Sequence, residues 1–228
     1  MTPVILNIET GGDNCSVALS KGKDIIAIKE NCDREHSKYL SVFIDEIVKA
    51  NLLSYNDIDA VAISKGPGSY TGLRIGVATA KGICYALNKP LIAIDSLLSL
   101  ANICKQSQNI EPEAMFLPLI DARRLEVYTA LFNASLSQLT NTEAIILSEN
   151  SFQEILEMHK VYFFGSGSEK CKELIKHPNA IFTQVKSSAR GLVAPAHEAY
   201  NKSQFEDIAY FEPLYLKDFV ATKSKKTL

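Results

Sequence analysis

The residues of this chain best suited to chemistry lie in two glycine-bearing turns. Glu9-Thr10-Gly11-Gly12 sets an acid, a hydroxyl and two glycines in a row, a combination that can present backbone N–H groups to an anion. Further on, Gly66-Pro67-Gly68-Ser69-Tyr70-Thr71 links a short apolar run, Ala60 to Ser64, to a proline-free segment from Leu73 to Leu87. That is the pattern of a strand, a turn and a helix. Glycines in such a turn let the backbone approach a neighbour closely, and the neighbour can be a phosphate or a protein.

Other chemistries find little support. The histidines at 36, 159, 177 and 197 lack the short spacing that puts two metal ligands on one helix face. The cysteines at 15, 32, 84, 104 and 171 form no Cys-x-x-Cys pair and read as reduced structural thiols. Cys32 and His36 stand four apart, but two ligands make a poor site, so no metal site is expected. No Gly-x-x-x-x-Gly-Lys-Ser/Thr loop is present, and Gly66, Gly68 and Gly72 miss the dinucleotide spacing by one residue. No nucleophile–base constellation stands out, so no catalytic residue is assigned.

The elements that position these turns follow from periodicity. Val4 to Glu9, Ser16 to Ser20 and Asp24 to Glu30 read as strands joined by tight turns and hence antiparallel. Ser37 to Leu52 reads as a helix with Leu40, Phe43, Ile44, Ile47 and Val48 on its main stripe. Tyr39 and Val42 add apolar surface on another side. Leu91 to Ile94 closes the series as a strand. A second half repeats it: Phe116 to Asp121 resembles Val4 to Glu9, each ending in an acid at a turn and followed by a returning strand, here Glu126 to Leu131. Helices are expected at 151 to 159, after Gly165-Ser166-Gly167 and from Gly191, with a strand at Val161 to Phe164. The polar stretch from Ala101 to Glu113 suggests the boundary. The division is therefore a first lobe over 1–102, a second over 103–212 and a C-terminal segment and tail over 213–228.

The helix after the glycine turn carries two ridges of small residues, Gly72, Gly76 and Ala80 on one side and Ala78, Gly82 and Ala86 on another. Interior glycine costs a helix about 1 kcal/mol relative to alanine, so close packing has to compensate. One sheet covers one face of a helix, which leaves the other for a partner. Tyr39, Val42, Phe43, Gly72, Ile75, Gly76, Val77, Ala78, Ala80 and Lys81 are the candidate contacts. Phe43 also suits packing on the chain's own sheet. A large residue at Gly76 or Ala80 is expected to weaken association and leave the fold intact.

Charge sets bounds on partners. A formal net charge of −2 and a pI near 6.1 leave no global field to attract nucleic acid. Arg123 with Arg124, and the tail lysines 223, 225 and 226, offer at most local contacts. No stretch approaches the roughly 20 apolar residues that cross a bilayer, and the N-terminus enters a strand without a charged prefix. A cytoplasmic protein without membrane contact is expected.

Two lobes that each open on a strand pair ending in an acidic turn resemble the actin, hexokinase and chaperone-ATPase superfamily (ASKHA, ribonuclease H-like), with a duplicated β-β-β-α-β-α-β lobe. In that superfamily the turns grip phosphates and magnesium. Here Asp121-Ala122-Arg123-Arg124 lacks glycine, which weakens the alternative reading as a small-molecule kinase or ATPase. Ser64 to Gly76, together with residues 4–10, Glu35-His36-Ser37, 120–128 and Pro213-Leu214-Tyr215-Leu216, closely resembles the TsaB (YeaZ) family. The resemblance implies a non-catalytic subunit required to install threonylcarbamoyladenosine beside the anticodon of tRNAs reading codons that begin with adenine. It implies a helix-to-helix heterodimer with the catalytic paralogue TsaD, a homodimer through the same surface when alone, and a TsaE ATPase as third partner. Transfer RNA would be met through the complex. No intrinsic cofactor is implied; ATP and a metal ion belong to the partner subunits.

Overall fold

The computed structural model describes residues 2–33, 35–107 and 110–217. Five strands, β1 (Val4–Glu9), β2 (Cys15–Lys21), β3 (Asp24–Asn31), β4 (Ala60–Gly66) and β5 (Leu91–Asp95), form a sheet in the order β3-β2-β1-β4-β5. The tight turns after β1 and β2 make antiparallel hairpins. The helices α1 (His36–Ala50) and α2 (Tyr70–Leu87) supply the crossovers that the parallel strands β4 and β5 need. The central strands read as unbroken apolar runs because both faces are covered. On one face Leu6, Ile8, Val17 and Ile63 pack against Leu40, Ile44, Ile47 and Val77 of α1 and α2. On the other, Ile5, Ala62 and Ile92 meet Leu192 and Ala196 of α6 (Arg190–Asn201).

The second half builds β6 (Met115–Asp121), β7 (Glu126–Thr129), β8 (Phe132–Asn133), β9 (Glu143–Ile146), β10 (Val161–Phe164) and β11 (Ala180–Phe182), with α4 (Gln153–Met158) and α5 (Ser168–Leu174) as crossovers. Its order β9-β7-β6-β10-β11 repeats that of the first sheet, third, second, first, fourth, fifth; β8 pairs with β6 off this path. The repeat expected from Val4–Glu9 and Phe116–Asp121 is therefore a repeat of topology.

The boundary differs from the sequence expectation. The stretch that composition marked as a linker is half helix: α3 runs from Ser96 to Ser107 and buries Ala101, Asn102, Ile103 and Cys104. Asp95 starts it by accepting the N–H groups of Leu97 at 2.7 Å and Leu98 at 3.3 Å, the work of an N-cap carboxylate. Division at 102/103 would cut this helix. Nor is 103–212 one packing unit, since its last helix, α6, belongs to the core of the first sheet. α3 and α6 cross so closely at Gly191 that a Cβ there would overlap Ser99, and Asn102 Nδ2 donates to Gly191 O at 2.9 Å. A helix pair thus joins the lobes.

Residues 206–217 run back over the first lobe. Glu206 N–H donates to Leu91 O, and Lys81 Nζ donates to Ala209 O at 3.3 Å and Phe211 O at 3.0 Å. Leu214 N–H donates to Lys65 O at 2.7 Å, and the Tyr215 ring lies 4.9 Å from that of Tyr70. Lys217 then pairs with Glu126 of β7. Lysines 223, 225 and 226 fall outside the described residues.

Candidate functional site

The first turn is filled from within. Glu9 is 1% exposed, and its Oε1 accepts Gly11 N–H at 2.6 Å and Ser64 Oγ–H at 2.9 Å. The backbone donors that would meet a phosphate are thus directed at the chain's own carboxyl. Gly12 is covered as well, since a Cβ there would overlap the Ser187 side chain. Asn14 Nδ2 donates to Ser187 O at 3.0 Å, and Ala189 N–H donates to Ser16 Oγ at 2.9 Å, so residues 187–189 are fastened across the turn. The residues present do not fit a nucleotide phosphate here.

Burial raises the Glu9 pKa above its ordinary 4.5, opposed by the hydrogen bonds from Gly11 and Ser64. A folded-state pKa above the unfolded one means that the native state binds the extra proton between the two values, so stability falls as pH rises through the folded pKa. Glu9→Gln keeps the acceptor oxygen and removes the titration. Denaturant unfolding of both proteins across pH 4.5–8 should show wild type losing stability relative to the variant as pH rises. A constant difference would mean that Glu9 is not held in this environment.

The glycine turn packs on that first turn. Ser69 N–H donates to Gly11 O at 2.7 Å, and a Cβ at Gly68 would overlap Gly11. Gly66 has φ +108°, and a Cβ there would lie 2.8 Å from Leu214 O. Ser69 Oγ caps α2 by accepting Gly72 N–H at 3.3 Å. Pro67 lines the cleft between the lobes, Thr71 is exposed at the start of α2, and Tyr70 OH accepts Arg74 Nη1–H at 2.7 Å. The turn is a junction of three chain segments.

This geometry corrects the list of partner contacts. A Cβ at Gly72 would overlap Thr10 O, and one at Gly76 would overlap Thr10 Oγ1 and approach Ile63. Gly72, Gly76, Val77 and Ala80 are buried against the chain's own sheet and first turn. A large residue at Gly76 or Ala80 therefore strikes the fold, contrary to expectation. Lys81 is engaged by the 209–211 backbone. The other ridge is the open one: Ala78 and Gly82 are exposed, a Cβ at Gly82 would meet nothing within 4 Å, and Tyr85 is 84% exposed. Beside it on α1, Val42 is 46% exposed, while Tyr39 and Phe43 stack at 5.5 Å and, like Ile75, are half-buried at the edge of the core. Tyr85 was missed, although it continues the Ala78 and Gly82 stripe at helical spacing.

His36 starts α1 with its imidazole beside Gly12 and under Gly72, 3.4 Å from where a Cβ would stand. Burial lowers its pKa, opposed by Gly12 and the charge of Asp13. Cys32 is exposed, and burial pushes the thiols of Cys84, Cys104 and Cys171 up to about 12. Among the described residues no group of three His, Cys, Asp or Glu side chains is placed to hold a metal ion.

Ile120, just before the second turn, and Ser166 face the first turn across a cleft of about 410 Å³, also lined by Gly12, Asp13 and Lys186. Asp121 Oδ1 accepts Arg123 N–H at 2.6 Å and pairs with Lys170. Arg123 and Arg124 are exposed and take left-handed φ of 72° and 50°. Gly165, φ +96°, sits against Leu119 O much as Gly66 sits in its own turn.

With the geometry in place, three comparisons bear on it. The family model described as "TsaD: tRNA N6-adenosine threonylcarbamoyltransferase" matches residues 27–225. The Escherichia coli tRNA threonylcarbamoyladenosine biosynthesis protein TsaB is 27% identical over 96% of each chain, and its Buchnera aphidicola (subsp. Baizongia pistaciae) counterpart is 33% identical over 75% of this chain and 78% of its own. A solved Pseudomonas aeruginosa structure, an uncharacterized protein with similarity to peptidase YEAZ, superposes with a TM-score of 0.84 at 22% identity, over 94% of this chain and all of that one.

Proposed function

Because the chain belongs to the TsaB/YeaZ family and so takes part in tRNA threonylcarbamoyladenosine biosynthesis, we propose that it is the non-catalytic scaffold that activates a TsaD-like catalytic paralogue. The observation that carries this reading is the outer face of α1 and α2, where Val42, Ala78, Gly82 and Tyr85 are exposed and Tyr39, Phe43 and Ile75 are half-buried at the edge of the core. Such a face is typical of a protein-binding surface. The internally filled first turn and the glycine-free second turn support the absence of intrinsic nucleotide chemistry. In this reading the paralogue docks helix to helix, the isolated chain uses the same face to form a homodimer, and a TsaE-like ATPase joins the assembly. ATP and a metal ion act in the partner subunits in the cytoplasm, and tRNAs reading codons that begin with adenine are met through the complex. Among the described residues no helix is long and apolar enough to cross a membrane.

Reconstitution with the catalytic paralogue tests the proposal. Omitting this chain should abolish threonylcarbamoylation, and activity unchanged by omission would remove the central claim. The alternative, an actin-like-fold kinase or ATPase, predicts tight binding and turnover when the isolated chain is titrated with ATP and magnesium in a calorimeter.

A further inference from the structure

The two sheets share a strand order but not a cover. In the first lobe α1, 15 residues long, lays Leu40, Ile44, Ile47 and Val48 over the sheet. Its counterpart α4, in the same position between third and fourth strands, has 6 residues and buries only Leu156. The shortfall is about two and a half turns, or ~13 Å of helix. Beside α4 lies a groove of about 540 Å³, lined by Leu117, Leu131 and Ile145 from the sheet side and by Phe152 and Ile155 from the helix side. Glu143, Glu154 and Glu157 also line it. Among the described residues none of the three has a cationic partner; Glu157 accepts an amide hydrogen bond from Gln153 at 3.0 Å. The groove borders β9, an edge strand of the sheet, and Ile146 and Met158 near it are 74% and 69% exposed.

We propose that this groove binds a short amphipathic helix of a partner protein, apolar on one side and flanked by lysine or arginine. The helical form follows from the internal repeat, since the equivalent face of the first lobe is covered by a helix. The basic flanks follow from three carboxylates that have no cationic partner among the described residues and stand around an apolar channel, where complementary charge steers a ligand and fixes its orientation. The same carboxylates repel nucleic-acid phosphates. This surface lies on the opposite lobe from the α1/α2 face, so its occupancy does not depend on the pairing proposed above.

The full-length chain is titrated with a fluorescent amphipathic peptide of about 14 residues of leucine and lysine, long enough for a marginal helix, and with its leucine and glutamate twin. The lysine peptide should bind with a gain of helicity, and the glutamate peptide should not. The triple variant Glu143→Lys, Glu154→Lys, Glu157→Lys, confirmed as folded by its thermal melt, should weaken the lysine peptide about tenfold or more. Val42→Asp should leave binding unchanged. Equal binding of the two peptides, indifference to the triple variant, or loss of binding in Val42→Asp would each overturn the proposal. So would an affinity gain of about tenfold on deleting residues 218–228, which would identify the chain's own tail as the occupant.

Discussion

Replacing Gly72 with alanine should lower the melting temperature by about 4–8 °C, whereas the same replacement at Gly82, in the same helix, should raise it by about 2–3 °C. Both changes gain the propensity of alanine, worth about 1 kcal/mol. At Gly82 nothing opposes that gain, because a new Cβ meets no atom within 4 Å. At Gly72 the new methyl would overlap Thr10 O, a backbone atom that cannot rotate away. Overpacking against an immovable backbone atom lies at the upper end of the usual range, about 3 kcal/mol, and it outweighs the propensity term. Gly76→Ala should fall between them, since the atom it meets first, Thr10 Oγ1, is on a side chain. Thermal melts of the three variants decide the matter. If all three were stabilised, the ridge of Gly72 and Gly76 would not face the first turn.

The second large effect concerns association. Val42→Asp and Ala78→Arg place charges on the exposed face of α1 and α2. Each should weaken the proposed pairing with a TsaD-like paralogue about a hundredfold, because a charge buried without a partner in an interface costs several kcal/mol. The stability of the isolated chain should move by no more than about 0.5 kcal/mol, as for other surface changes away from special features. Calorimetric titration with the paralogue and melts of the free variants measure the two quantities separately. Undiminished binding by both variants would exclude this face as the docking surface. A variant at Gly76 could not make the distinction, since it would disturb the fold and the interface together.

What the sequence made legible was governed by locality. The strands of the first sheet and the helices at 36–50 and 70–87 follow from runs and periods that lie within one segment, and the repeat of Val4–Glu9 at 116–121 was visible because a central strand leaves a dense apolar signature. α3 escaped because its last residues, Lys105, Gln106 and Ser107, run directly into the polar stretch that continues to Glu113. Asp95 as a cap, with Leu97, Leu100, Ala101 and Cys104 at helical spacing, was the signal that could have found it. β8 and β11 are two and three residues long, too short to establish a period. The orientation of α2 was beyond sequence reasoning for a different reason. Both of its ridges are small and smooth, and Thr10, some 60 positions earlier, together with Ile63 and His36 determines which one is covered. The fate of Glu9 is likewise tertiary: an acid beside glycines reads as a ligand site until Ser64 and Gly11 are seen to occupy it.

The return of residues 206–217 over the first lobe bears on the order in which the molecule can be made. Domains generally fold as they leave the ribosome, the N-terminal part first. Here the first sheet waits for α6 to cover one face, and for Ile208 and Phe211 to complete its other core. The glycine turn waits for Leu214 to bond Lys65 across 149 positions of chain. The lobe that is translated first therefore waits for chain made later, and α2 acquires its native support only after residues 206–214 have been added.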